Sequence, residues 1–530
     1  MSEHREPQGR SRDTIGLVDQ ERHKWAALRV KGSDKTVMSR SDPLWSDPLW
    51  RVWPTLVLMA FYLIAMPLMT AAVESWAPHD VARAVQLLVL GSCGLLLLGR
   101  LWVGVDACDV RLGVATICWG LGILLLAALA VLYAPVLRAA MLELAFYVLL
   151  GALAVQLAWA LGQLQSARWD AWRWLSLTLL ASSALLAFGI AVRYLAGLAE
   201  GSLLRAWLVP GFSNYRFFNH VQTITLPLLA AAAVWPGLNT RARRLAWGLL
   251  ALEFCWLLFV GGRATMLALA AGALAVALLF RSLAWHWLRA LLTAALLGAL
   301  LFALLFVVVP RSLGMQTDFQ AADTLTRTAR ETGHTRLYLW QIARENILES
   351  PWLGIGPQHF AHWPNQEAAH PHNVYLQLAA EWGLPMFLAV LLAAAMAFRR
   401  WVAAVRRSAP KQASAWGMGL TAAFVSIAVD GMLSGNFVMP NAQMWIALSF
   451  AMAFVYARQW PRAHADAGGG FFIREAWRRF ASSALLAFAL MGLWRGVWPE
   501  VLNVPAHVER VRERVPNGAY NPRIWSHGWF

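Results

Sequence analysis

The sequence predicts an all-α, polytopic membrane protein, and three observations carry that prediction. Apolar residues arrive in blocks of about 20, the length that crosses a hydrocarbon core. Hydrophobic residues make up 59% of the chain and charged residues only 14%, so these runs cannot all be interior to one soluble fold. The 30 tryptophans suit the lipid–water interface, where an indole needs one apolar side and one wet side.

Residues 1–51 are polar, hold Lys24, Lys31 and Lys35, and read as a cytoplasmic, disordered tail. They do not read as a cleavable signal, because a long polar stretch precedes a run that is itself long enough to span. Spans are predicted at 53–73, 82–99, 112–132, 140–162, 174–195, 220–236, 245–260, 264–280, 290–309, 373–397, 414–433, 441–457 and 480–498, about 12–13 transmembrane helices in all. The organisation is therefore tail 1–51, spans in 52–309, a long helical external loop at 310–372, spans in 373–498, and a tail at 499–530. Ala463 to Gly470 is the one linker-like stretch.

Starting with the first tail inside, the links bearing Arg100 and Arg111, Arg168 and Arg173, Arg241 to Arg244, Arg281 and Arg289, Arg399 to Lys411, and Arg458 to Arg479 fall in the cytoplasm. This is the positive-inside distribution. The net charge of +16 then reads as a set of topology signals rather than a nucleic-acid face. Links 196–219, 261–263 and 310–372 face outward, as does 499–530. Cys93, Cys118 and Cys255 lie in apolar runs and Cys108 in a short link, without metal-ligand spacing, so neither disulfides nor structural zinc are expected. Outward-facing carboxylates are scattered, and there is no P-loop, Rossmann fingerprint or GxSxG elbow, so no metal and no nucleotide cofactor is expected.

The external segment 310–372 is too long for an idle link. Leu337, Trp340, Ile347 and Leu348 recur at helical spacing, predicting an amphipathic helix over the bundle that Pro351 stops. The turn-forming Gly354, Gly356 and Pro357 then lead to His370, Pro371, His372 and Asn373. Asn373 is a good N-cap for a helix running through Tyr375, Gln377 and Glu381. At such a helix mouth the dipole favours a neutral imidazole, which suits His372 as a general base; a plain capping histidine is the alternative. Arg263 opens a helix directly after Gly261 and Gly262, so its guanidinium and the free helix N–H groups are placed to hold an anion. Arg216 sits among aromatics in Asn214–His220, either as an anion ligand or as an anchor in an aromatic belt. The topology puts Arg216, Arg263, Arg336 and His372 on one side of the membrane.

From Thr335 to Pro385 the chain resembles the O-antigen ligase superfamily, which includes O-antigen polymerases and bacterial protein O-oligosaccharyltransferases. The resemblance rests on Arg336, Trp340, Ala343, Pro351, Gly354, Gly356, Phe360, His372-Asn373, Glu381 and Gly383-Leu384. Met386 departs from the small or hydroxyl-bearing residue of the pattern. Gly261-Gly262-Arg263 is similar to a second family element, and Arg216 to His220 with Gln222, Thr223 and Pro227 to a third. The resemblance implies a GT-C-type glycosyltransferase at the periplasmic face of a bacterial inner membrane, using an undecaprenyl-diphosphate-linked glycan without metal or other cofactor. It implies His372 as catalytic base, Arg216 and Arg263 on the diphosphate, and Arg336, His370, Asn373 and His220 in support, with inversion at the anomeric carbon. The spacing through His372 and Gly383 resembles the ligases, whose acceptor is lipid A-core. Protein O-oligosaccharyltransferase and polymerase share the donor chemistry and are the alternatives. A lipid-linked-sugar flippase is remoter, because ionisable residues gather at one face instead of within the spans. Membrane lipids are the other expected partners, and nucleic acid is not.

Overall fold

The computed structural model describes residues 52–69, 75–103, 114–166, 170–317, 332–362, 368–407, 414–459, 475–515 and 522–530. The expectations for the 1–51 tail and the 463–470 linker lie outside them. In chain order the helices are α1 (Trp53–Met69), α2 (Pro78–Val103), α3 (Val114–Leu132), α4 (Leu137–Ser166), α5 (Ala171–Ala199), α6 (Phe217–Val234), α7 (Thr240–Val260), α8 (Arg263–Phe280) and α9 (Trp285–Ala303). They continue with α10 (Thr332–Glu349), α11 (Val374–Trp382), α12 (Leu384–Arg407), α13 (Ser414–Asp430), α14 (Pro440–Gln459), α15 (Glu475–Val497) and α16 (Val504–Arg514). Each apolar run of the sequence is thus helical. Seven stretches are long and apolar enough to cross a membrane, one of them the 50-residue Arg263–Ser312 that holds α8 and α9. Helices α1 and α13 and Thr116–Leu132 of α3 are shorter apolar helices. The chain is an all-α polytopic membrane protein. A two-residue parallel pairing of Ser202–Leu203 with Gln316–Thr317 joins the link before α6 to the start of the long loop.

Helix α6 is the buried axis. Residues Phe218 to Ala233 are nearly all interior, and α13, α7, α9, α14 and α8 pack around them. Small residues permit this closeness, as they do wherever bundled helices lack a water-driven force between them. On α8, Gly272 lies against the Ala422 carbonyl and Ser426 of α13, and the Ser426 hydroxyl donates to the Ala268 carbonyl at 2.9 Å. A second group, α2, α4, α14 and α15, packs alongside. Helix starts 217 and 263 and the end of α13 at Asp430 meet at one end of this arrangement, which positions the site.

Two sequence expectations need correction. The single span expected at 373–397 is two helices, α11 and α12, broken at Gly383 with φ of 84°. The break is bonded rather than loose: Leu384 N–H donates to the Pro351 carbonyl at 2.8 Å and Ile355 N–H to Ala380 at 2.9 Å. Across it, Gly354 adopts φ of 72°, and a Cβ on either glycine would overlap the other segment's backbone. The apolar face of α10 also differs from the one read in the sequence. Its inward stripe is Leu339, Ile342, Ala343 and Asn346, while Leu337 and Leu348 are exposed by 61% and 65%. The buried Asn346 interrupts the apolar pattern, and so the periodicity pointed to the wrong side.

Gly383→Ala is expected to lower the thermal midpoint in detergent and reduce activity. At φ 84° and ψ 162° a residue bearing a Cβ sits in a region that is essentially glycine-only, at a cost of roughly 1–3 kcal/mol, and here the Trp352 carbonyl is also in the way. An unchanged midpoint would mean that the turn relaxes freely.

Candidate functional site

The site is assembled on the turn between α10 and α11. The Trp340 indole donates to the Pro371 carbonyl at 3.1 Å, and the His372 N–H donates to His370 Nδ1 at 3.2 Å. This acceptance at Nδ1 places the proton of a neutral His370 on Nε2. The Val374 N–H then donates to the Gly431 carbonyl at 2.8 Å, and the Tyr375 hydroxyl to Ala428 at 3.0 Å. The expected N-cap is present: Asn373 Oδ1 accepts from Tyr375 N–H at 3.0 Å and Leu376 N–H at 3.1 Å. Between these anchors His372 takes a left-handed φ of 51°. A histidine so held is strained, and such strain persists only where the surroundings over-determine it.

The two imidazoles lie edge to face at 4.3 Å between ring centroids. Gly435 makes room for His370, since a Cβ there would stand 2.7 Å from its Cε1. Burial, then the charge of Arg336, then His220 lower the His372 pKa from 6.5 to about 4. Burial, then His372, Arg523, His220 and His79, hold His370 well below the ordinary range. Both rings are therefore neutral at pH 7, as the sequence predicts for His372. The leading cause is burial, however, where the sequence suggested the helix dipole.

Of three guanidinium groups at this end of the bundle, Arg336 lies within electrostatic reach of His372, and Arg216 and Arg263 lie within reach of Arg336. Gly261, in the left-handed conformation, ends α7, and Gly262 starts α8 without a side-chain cap. Arg263 thus stands at the helix mouth, partly buried. The contact that fixes this corner is Asn219 of α6, which a Cβ at Gly262 would overlap. Arg216 precedes α6 and is exposed, its guanidinium 5.8 Å from the Tyr215 ring. Arg336 on α10 is partly buried, and its pKa is lowered first by burial, then by Arg216 and Arg263, with Asp430 acting in the opposite sense. That effect places Arg216 and Arg263 each within electrostatic reach of Arg336. Among the described residues neither Arg216 nor Arg336 makes an ion pair with a carboxylate. His220 completes the group, its Nδ1 3.4 Å from Asp430 Oδ2, and Ser434 donates to that same oxygen at 2.5 Å.

Every site residue named from the sequence lies in this neighbourhood: His372, His370 and Asn373 on the turn, Arg216 and His220 at the start of α6, Arg263 at α8, and Arg336 on α10. The sequence reading missed Asp430. Its signal was a carboxylate at the end of an otherwise apolar run, which is costly in a membrane without a role. Among the described residues no group of three His, Cys, Asp or Glu is placed to hold a metal ion.

Were His372 to serve as a general base, the acid limb of kcat/KM for the free protein would be expected near pH 4, where the imidazole becomes charged and can no longer accept a proton. A bound anion beside Arg336 favours imidazolium and so raises this pKa, so the limb of kcat is expected at higher pH than that of kcat/KM. Two coincident limbs near 6.5 in a pH–rate series would contradict this electrostatic picture.

Residues 248–391 match the family model described as O-antigen ligase. This region runs from α7 through Arg263, Arg336 and the His370–Asn373 turn into α12, and leaves Arg216, His220 and Asp430 outside. No curated protein matches the chain.

Proposed function

From the premise that region 248–391 places this chain in the O-antigen ligase superfamily, we propose that it transfers glycan from undecaprenyl diphosphate to a lipid A-core acceptor at the periplasmic face of the inner membrane. The observation that carries the proposal is the convergence of Arg216 and Arg263 on Arg336, which itself lies within electrostatic reach of a strained, neutral His372. Cations gathered in this way suit a diphosphate, whose charge relieves the repulsion that Arg336 feels from Arg216 and Arg263. In the reaction an acceptor hydroxyl attacks the anomeric carbon while His372 takes its proton. The new bond forms from the acceptor oxygen to that carbon as the bond to the diphosphate oxygen breaks, inverting the centre. Negative charge growing on the departing undecaprenyl diphosphate meets Arg216, Arg263 and Arg336, which stabilise it most in the transition state. His370 orients the turn, Asn373 caps α11, and His220, within electrostatic reach of His372, is held beside Asp430. The charge arrangement supports this without a metal, and turnover is expected to persist in a chelator.

The test is purified protein in liposomes with an undecaprenyl-diphosphate-linked glycan and, separately, lipid A-core, a Ser/Thr-bearing protein, or a second lipid-linked repeat unit as acceptor. Glycan appearing on lipid A-core supports the ligase. Transfer only to protein or only to a repeat unit moves the assignment to oligosaccharyltransferase or polymerase, and consumption of no donor at all rejects the glycosyltransferase reading.

A further inference from the structure

Behind the His372 turn, residues 522–530 occupy a built receptacle. The Arg83 guanidinium of α2 donates to the carbonyls of Arg523 and Ile524 at 3.0 and 3.2 Å, and His79 Nε2 lies 3.2 Å from the Ile524 carbonyl. Asp80 accepts from the Ser526 N–H at 2.5 Å and its hydroxyl at 2.7 Å. The Trp525 indole donates to Glu500 at 2.9 Å. These bonds deliver Arg523, only 2% exposed, between two buried carboxylates: Glu381 of α11 at 2.6 Å and Glu143 of α4 at 3.0 Å. Its other amino group donates to the Ala369 carbonyl at 3.3 Å.

The targets of Arg523 flank the His372 turn. Ala369 immediately precedes His370, and Glu381 belongs to the helix that Asn373 caps. Glu381 itself also accepts from the Phe360 N–H at 3.1 Å and from Gln377 at 3.3 Å. One planar fork therefore ties the start of the turn, the helix after it and the α4 wall. A bidentate, buried guanidinium fixes direction as well as charge, which an ammonium does not. None of the bonds just named is made to Arg216 or Arg263.

We propose that Arg523 is a positioning residue, holding the His370–Pro371–His372 turn in the geometry from which His372 abstracts a proton. The inference rests on the reading of His372 as the base. In Arg523→Ala, kcat is expected to fall about 10²-fold, the cost of misplacing a reacting group by about 1 Å. The KM for the lipid-linked donor is expected to change less than about threefold, because the diphosphate cations are elsewhere. Arg523→Lys is expected to fall between the two. Free guanidinium ion added to Arg523→Ala restores part of kcat, which also shows that the variant is folded.

A second readout does not depend on the donor. In protein labelled with ¹³C-histidine, the His372 ring resonance, assigned by its loss in His372→Ala, is expected to move in Arg523→Ala and return with guanidinium. A folded Arg523→Ala with wild-type kcat overturns the proposal, as does guanidinium that restores the thermal midpoint but not kcat, or an unmoved His372 resonance. If wild-type protein transfers nothing from the lipid-linked donor, the functional reading fails, and the resonance still decides whether Arg523 positions the turn.

Discussion

On the proposed reading, replacing His372 by Ala is expected to lower the turnover of glycan transfer by about 10²–10⁴-fold, the range that a positioned general base supplies, while membrane insertion and thermal midpoint are expected to stay near wild type. The structure gives reasons for both halves of this result. The turn is fixed by bonds to the Pro371 carbonyl, the His372 N–H and the Val374 N–H, none of which uses the His372 ring. Removing the ring therefore takes away a proton acceptor without taking away an anchor, and the strained left-handed backbone loses little by becoming alanine. His370 cannot substitute: it is 2% exposed, and its Nδ1 is already an acceptor for the His372 N–H. Single-turnover transfer with preloaded donor is the measurement. A normal rate would remove the base from the mechanism.

Arg263→Ala is the second large effect, with an expected loss of about 10²–10³-fold in kcat/KM, the magnitude seen when one preorganised stabiliser of developing charge is removed. Arg263 stands at the uncapped start of α8, a position from which helix N–H groups and a guanidinium can hold one anion together. Arg263→Lys keeps the charge and loses the fork, so part of the activity returns but the donor is held less well. Titrating the donor separates the contributions: loss in kcat marks charge stabilised in the transition state, loss in KM marks ground-state binding. Wild-type kinetics in both variants would refute a role for Arg263 on the diphosphate.

The helical runs, the start of α11 at Asn373 and the helix start at Arg263 were legible in the sequence, because each follows from local chemistry. Apolar length marks a membrane helix, Asn373 caps, and the glycine pair before Arg263 announces a helix start. What was not legible depends on contacts between distant segments. Nothing local tells Leu337 that Asn346 will be buried instead, or that Gly383 must face the Trp352 carbonyl and break a run that reads as continuous. Arg523 looked like one more cation in a polar tail. Its partners Glu143 and Glu381 lie in α4 and α11, and only packing identifies the three as a unit.

The His372 turn takes one of its anchors from Gly431, at the far end of α13. Synthesis runs from the N-terminus, so Arg263, Arg336 and His372 are all made before that partner emerges from the ribosome. The turn is consequently complete only when α13 has packed against it, an order of assembly set by the order of the segments.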